Sequence, residues 1–287
     1  MSSTILRIAA WLIAALPAGT ATAQSDEQLL ARGKYLMDGA VACANCHIAR
    51  GDKGQPLFDK GLSGGMRFDD PMFVAYAPNI TPDVATGIGS WSDAQLAKAI
   101  REGIRPDGSL IGPPMPIPFY RHISDTDLTA IIAYLKAQPA VIYKVDKSVY
   151  HMPLPPNYGP PVKDVGMPAA TDRIAYGEYL SNIGHCMECH TPRDAKGQLV
   201  MDKFGAGGQA LKGPWGVSIS RNLTPDPTGL KDWTDEQITR AIQQGVDRNG
   251  VHYKPPMAFD WYKNINSDDI KSLIAYLRSL PPQRLGE

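Results

Sequence analysis

Apolar residues recur at helical spacing in a few short stretches of this chain, separated by long polar segments rich in glycine and proline. Leu128, Ile131, Ile132 and Leu135 fall at i, i+3, i+4 and i+7, one face of an α-helix. Ile270, Leu273, Ile274 and Leu277 write the same stripe near the end of the chain. The first of these helices is expected to start near Ser124, with Asp127 in its first turn. Another begins near Ser25 and places Leu29, Gly33 and Leu36 on one face. Ser92 with Gln95, and Thr234 with Gln237, are capping boxes that predict a helix after each. Gly33 and Gly177 each cost a helix interior about 1 kcal/mol relative to alanine, so a second helix crossing closely is the expected reason for them. Strand signals are weak, and the pattern predicts an all-α fold.

The stripes repeat because the chain repeats. Gly33-Lys34-Tyr35-Leu36 answers Gly177-Glu178-Tyr179-Leu180, and Asn79-Ile80-Thr81-Pro82-Asp83 answers Asn222-Leu223-Thr224-Pro225-Asp226. Trp91-Ser92-Asp93 answers Trp233-Thr234-Asp235, Pro113-Pro114-Met115 answers Pro255-Pro256-Met257, and Ala133-Tyr134-Leu135 answers Ala275-Tyr276-Leu277. The spacing stays between 142 and 144 residues throughout. The expected organisation is a domain over 24–140, a second over 169–287, and a proline-rich connector over 141–168. Composition leaves open whether that connector fixes the orientation of the two domains or merely tethers them.

All four cysteines lie in two further matched motifs, Cys43-Ala44-Asn45-Cys46-His47 and Cys186-Met187-Glu188-Cys189-His190. C-x-x-C-H is the attachment signature of c-type haem. Cysteines three apart sit about one helical turn apart, so both thiols reach one edge of a porphyrin, and the adjacent histidine supplies the proximal ligand. Two plainer alternatives stand beside this: a local disulfide in each pair, or one four-cysteine zinc site. A haem in each half also gives the long loops an apolar body to wrap, which an ordinary domain of this size lacks. Met115 and Met257, each after a double proline and at matched positions, are the expected distal ligands. The unmatched Met66, Met72, Met152, Met167 and Met201 read as packing residues. His122, His151, His185 and His252 read as surface or loop residues, with His185 close to the second motif. Asn79, Asn222, Trp91 and Trp233 are candidate partners of haem propionates, with Arg67 and Arg221 behind them. The asparagine segments read equally well as turns leading into helices.

Composition adds little. The 287 residues carry 29 basic and 29 acidic side chains, so no global field points to nucleic acid. Residues 1–23 read as an export signal: Arg7, an apolar run from Ile8 to Leu16, and Ala21-Thr22-Ala23 as the cleavage site. The apolar run is short for a membrane span. The expected product is exported to a periplasm, with peripheral attachment to the inner membrane compatible with this.

Taken together, the paired C-x-x-C-H and Pro-Pro-Met motifs resemble those of dihaem c-type cytochromes, and more closely the cytochrome c subunits of membrane-bound alcohol and gluconate dehydrogenases. The resemblance runs from Gly-x-Tyr-Leu to the closing Ala-Tyr-Leu helix. It implies two tandem class I cytochrome c-like domains, each with one covalent haem. Cys43, Cys46, Cys186 and Cys189 would anchor the porphyrins, while His47 with Met115 and His190 with Met257 would ligate iron. It implies an electron-transfer protein rather than an enzyme, fed by a dehydrogenase subunit and discharging to an oxidase, a quinone or another cytochrome. Many such subunits carry a third motif and a membrane-associating tail. The expectation from their absence in these 287 residues is a soluble carrier or a loosely bound subunit. The competing function is a dihaem peroxidase-like enzyme, or one oxidising a small inorganic substrate, which needs an open position on one iron.

Overall fold

The computed structural model describes residues 25–51, 54–213 and 215–284. The expected export signal at residues 1–23 lies outside the described residues. In the first half, α1 (Asp26–Met37) precedes α2 (Ala44–His47), and α3 (Asp93–Glu102), α4 (Ile117–Tyr120) and α5 (Asp125–Lys136) follow. The second half repeats them as α6 (Arg173–Ile183), α7 (Cys186–His190), α8 (Asp235–Gln244), α9 (Phe259–Tyr262) and α10 (Ser267–Ser279).

The helix signals in the sequence correspond to these elements. Ser25, Ser92 and Thr234 each cap a helix in a complete capping box, and Ser124 caps α5 through the Asp127 N–H. Both apolar stripes are buried along their full length. Each such aliphatic side chain contributes about 1.5–3 kcal/mol by leaving water, which is what holds α5 and α10 in place. In each half the first helix crosses the last, α1 on α5 and α6 on α10. A Cβ at Gly33 would overlap the Ala130 carbonyl oxygen, and one at Gly177 the Ser272 carbonyl oxygen. The missing side chains are the crossing points.

The expectation of a purely helical fold needs correction. Among the described residues five short strands form small antiparallel ribbons. β1 (Arg67–Asp70) pairs with β2 (Phe73–Tyr76), placing Arg67 opposite Tyr76, and β3 (Val149–Tyr150) joins with Tyr150 opposite Phe73. β4 (Ala210–Gly213) pairs with β5 (Gly216–Ile219), placing Ala210 opposite Ile219. These strands are two to four residues long, and β1, β3 and β5 are largely exposed, so the pattern is too short to announce them.

The proline-rich stretch between the halves is laid along the first half. From the end of β3 the Tyr150 hydroxyl donates to Pro113 O at 3.1 Å, and further on the Tyr158 hydroxyl donates to Ile111 O at 2.8 Å. The Asp125 N–H donates to Val165 O at 2.9 Å. The halves themselves meet directly. Tyr35 donates to Asp269 and Tyr179 to Asp127, while α2 packs on α9 and α4 on α6.

Candidate functional site

Each C-x-x-C-H motif forms a single short helix, with Cys43 at the N-cap of α2 and Cys186 opening α7. This brings both thiols and the histidine of a motif into one turn. The His47 Nδ1–H donates to Pro78 O at 2.9 Å, and the His190 Nδ1–H to Arg221 O at 2.6 Å. A carbonyl only accepts, so Nδ1 carries the proton and Nε2 keeps its lone pair. Burial lowers the pKa of both imidazoles, which favours the neutral form a metal needs. Fixing the ring through its other nitrogen is how a protein orients a metal-binding histidine.

The acceptor carbonyls are held in place by the repeated Asn-Ile/Leu-Thr-Pro-Asp segment. Asn79 Oδ1 accepts from the Thr81 N–H at 2.9 Å, and Asn79 Nδ2 donates to Thr86 Oγ1 at 3.1 Å and Val141 O at 2.8 Å. Asn222 repeats this with Thr224, Thr228 and the carbonyl of Gln283. Both amides are engaged by protein partners, the arrangement the turn alternative requires. Asp83 and Asp226 close each turn by accepting from Thr86 and Thr228.

None of the four cysteines is paired with another in a disulfide, which removes that alternative. Burial pushes Cys43 up to about 12, Cys46 to about 11, Cys186 to about 11 and Cys189 to about 12. No cluster of three or more His, Cys, Asp or Glu among the described residues is arranged to hold a metal ion, so the shared zinc site also fails. Paired neutral thiols beside an imidazole with a free Nε2 are the donor set that a covalently attached haem requires. Cys43, Trp91 and Met115 in the first half, and Trp233 and Met257 in the second, are half-buried against the core and supply apolar surface for it.

Met115 and Met257 each follow a proline pair, Pro113-Pro114 and Pro255-Pro256, with a cis bond between the two prolines. Each methionine carbonyl accepts from the first residue of the next short helix, Ile117 at 2.9 Å and Phe259 at 3.0 Å. Arg67 is spent on Asp69 at an exposed site, while the Arg221 guanidinium lies over the Tyr253 ring.

The unmatched histidines and methionines differ in exposure. His122, His151 and His252 are exposed, and His185 is half-buried in the turn that leads into α7. Its ring meets Tyr120 of the other half edge-on at 5.9 Å, and burial lowers its pKa to about 4. Met72, Met167 and Met201 are exposed rather than packed. The carbonyls of Pro78 and Arg221 do work that no side chain in the sequence advertises; the only signal is that each immediately precedes the repeated asparagine.

A family model described as Cytochrome c matches residues 30–139 and again residues 174–281. The chain belongs to the cytochrome c family. It is 32% identical over 288 residues to an alcohol dehydrogenase (quinone) cytochrome c subunit of Gluconacetobacter polyoxogenes, covering 93% of this chain and 60% of that one. A gluconate 2-dehydrogenase cytochrome c subunit of Pantoea cypripedii is 31% identical over 284 residues, covering 92% and 62%. A protein named diheme cytochrome c-type from Cereibacter sphaeroides is 30% identical over 284 residues, covering 91% of this chain and 92% of its own length. The chain thus spans about 60% of the length of the first dehydrogenase subunit. This cytochrome is two tandem cytochrome c domains with a c-type haem in each. No helix among its described residues is long and apolar enough to cross a membrane.

Proposed function

We propose that this cytochrome is a periplasmic dihaem electron carrier that takes electrons from a dehydrogenase subunit and delivers them to an oxidase, a quinone or another cytochrome. The observation that carries this is the pair of matched imidazoles, each oriented by a backbone carbonyl 31 residues downstream and each presenting Nε2. The bound haem supplies a one-electron Fe(III)/Fe(II) couple. The chain's own residues do the rest. Cys43 and Cys46, with Cys186 and Cys189, would anchor a porphyrin in each domain, and His47 with Met115 and His190 with Met257 would hold its iron. A thioether opposite histidine raises the potential relative to two histidines, which suits an acceptor of electrons from a dehydrogenase. With both ligands in place a substrate would be denied access to iron, which is why a carrier is favoured over a peroxidase-like enzyme.

Redox titration of the secreted, haem-loaded protein, followed at the α-band, tests this together with carbon monoxide addition to the ferrous form. Two one-electron steps with almost no carbon monoxide binding are expected. Rapid, substantial binding points instead to an enzyme. A colourless product with the mass of the bare polypeptide overturns haem attachment altogether.

A further inference from the structure

The two motif helices differ in what they grip across the junction between the halves. Asn45 is the residue before the second cysteine of the first motif, and its Nδ2 donates to Pro256 O at 3.0 Å. Pro256 immediately precedes Met257. The Asn45 backbone is itself held, its N–H donating to Ala42 O at 2.8 Å and its carbonyl accepting from Arg50 at 2.7 Å. On the far side of Met257, α9 packs on α2, and Asn264 Nδ2 donates to Asp38 O at 2.8 Å. The stretch carrying the second methionine is therefore clasped by the first domain on both sides.

The counterpart of Asn45 in the repeat is Glu188, and that of Pro256 is Pro114. Glu188 does not return the bond. Its carboxylate faces Arg193 at 3.5 Å and His185 at 3.8 Å. Only one of the two methionine loops is gripped by the opposite motif.

We infer that Asn45, a residue of the first haem motif, is a positioning residue for Met257 in the second domain. This rests on Met257 being an axial ligand. Pro255 and Pro256 have no N–H to donate, so the loop entering Met257 is placed by what its carbonyls accept. A neutral thioether is a weak ligand held by geometry, so releasing the Pro256 carbonyl lets the sulfur withdraw. This hydrogen bond has no counterpart in the other direction, because Glu188 is turned to Arg193 and His185 rather than to the Met115 loop.

The test uses the full haem-loaded protein with Asn45→Asp, which keeps the side-chain shape but sets an acceptor against the carbonyl, and Asn45→Ala as a second variant. The proton NMR signal of the ligated methionine methyl in the ferrous protein and the two midpoints are read in each. The second centre is identified as the one that Met257→Ala moves. The expected result in Asn45→Ala is a shifted or lost Met257 methyl signal and a second-centre midpoint lowered by more than the first; Asn45→Asp adds a charge beside the first motif, so in that variant the Met257 methyl signal decides. Should both Asn45 variants leave the second centre untouched, or move the first alone, while Met257→Ala still moves the second, the positioning role is wrong and the ligand stands. Should Met257→Ala move neither centre, the ligand assignment falls and takes the inference with it.

Discussion

Tyr35 and Asp269 come from opposite halves of the chain and share a hydrogen bond of 2.6 Å, and Tyr179 and Asp127 make the same 2.6 Å bond with the halves exchanged. Each tyrosine sits in the first helix of its half, and each aspartate in the first turn of the other half's last helix. A duplicated domain meeting its copy about an approximate two-fold uses one pair of residue types twice. The two bonds are not equal in energy. Asp127 also receives two 2.8 Å bonds from Arg32, whereas the Asp269 carboxylate depends on Tyr35.

Removing each hydroxyl exposes that difference. Tyr35→Phe leaves a buried carboxylate without its donor and is expected to cost about 1–3 kcal/mol. Tyr179→Phe leaves Asp127 paired with Arg32 and costs about 0.5–1.5 kcal/mol. Urea unfolding of the haem-loaded variants measures both, and equal losses contradict the asymmetry.

At the helix crossings two effects of opposite sign compete. Gly33→Ala gains about 1 kcal/mol in helix propensity. It also drives a methyl into the Ala130 carbonyl, and overpacking of this kind costs about 1–3 kcal/mol or more. Backbone cannot swing aside as a flexible side chain can, so a net loss is expected at Gly33 and equally at Gly177. A rise in the thermal midpoint of either alanine variant shows that the helices can part without penalty.

How much of this was legible follows from where the information resides. Helix stripes, capping boxes and the haem motifs are side-chain patterns at fixed short spacing, so Leu128 to Leu135 or Ser92 with Gln95 can be recognised directly. The ribbons cannot, because strands of two to four residues are too short for an alternation to stand out. The carbonyls that orient His47 and His190 belong to a proline in one half and an arginine in the other, since a backbone acceptor is indifferent to its side chain. Contacts between the halves are hidden for another reason. Nothing local to Asn45 or Tyr35 marks a partner more than 200 positions away.

The turn that supports each histidine separates two roles for its asparagine. Asn79→Ala removes the groups that satisfy Thr81, Thr86 and the Val141 carbonyl in a largely buried site. A loss of about 1–3 kcal/mol is expected there, and a similar one for Asn222→Ala. A propionate partner would instead alter a midpoint with stability intact. Denaturation and redox titration of the same two variants decide between the roles.

Acid sensitivity should trace to the same turns. Bonds from Thr86 hold the Asp83 carboxyl below its ordinary value of 3.8, and bonds from Thr228 hold Asp226 below it likewise. The unfolded chain therefore binds more protons than the folded one as pH drops past 3.8, and stability falls with it. This contribution is complete above the ordinary carboxylate range and disappears as pH passes through the depressed folded values. Thermal midpoints measured down the acid limb should fall less steeply for Asp83→Asn and Asp226→Asn than for the parent protein. An unchanged acid slope in both variants assigns the sensitivity elsewhere.

Replacing the methionines tests the axial assignment at its most exposed point. Met115→Ala and Met257→Ala each delete one thioether and leave the proximal imidazole, fixed by its carbonyl, in place. Losing a soft ligand that favours Fe(II) lowers the potential of that iron. A two-electron couple shifts about 30 mV for each 1.4 kcal/mol, so a one-electron centre shifts about 60 mV for the same energy. Removing a ligand worth even one such increment is resolved in a titration. Each variant should lower one midpoint by at least about 60 mV, leave the other in place, and open its iron to carbon monoxide in the ferrous state. Two variants that shift the same centre, or a variant that shifts both centres equally, break the pairing of one methionine with one histidine in each half.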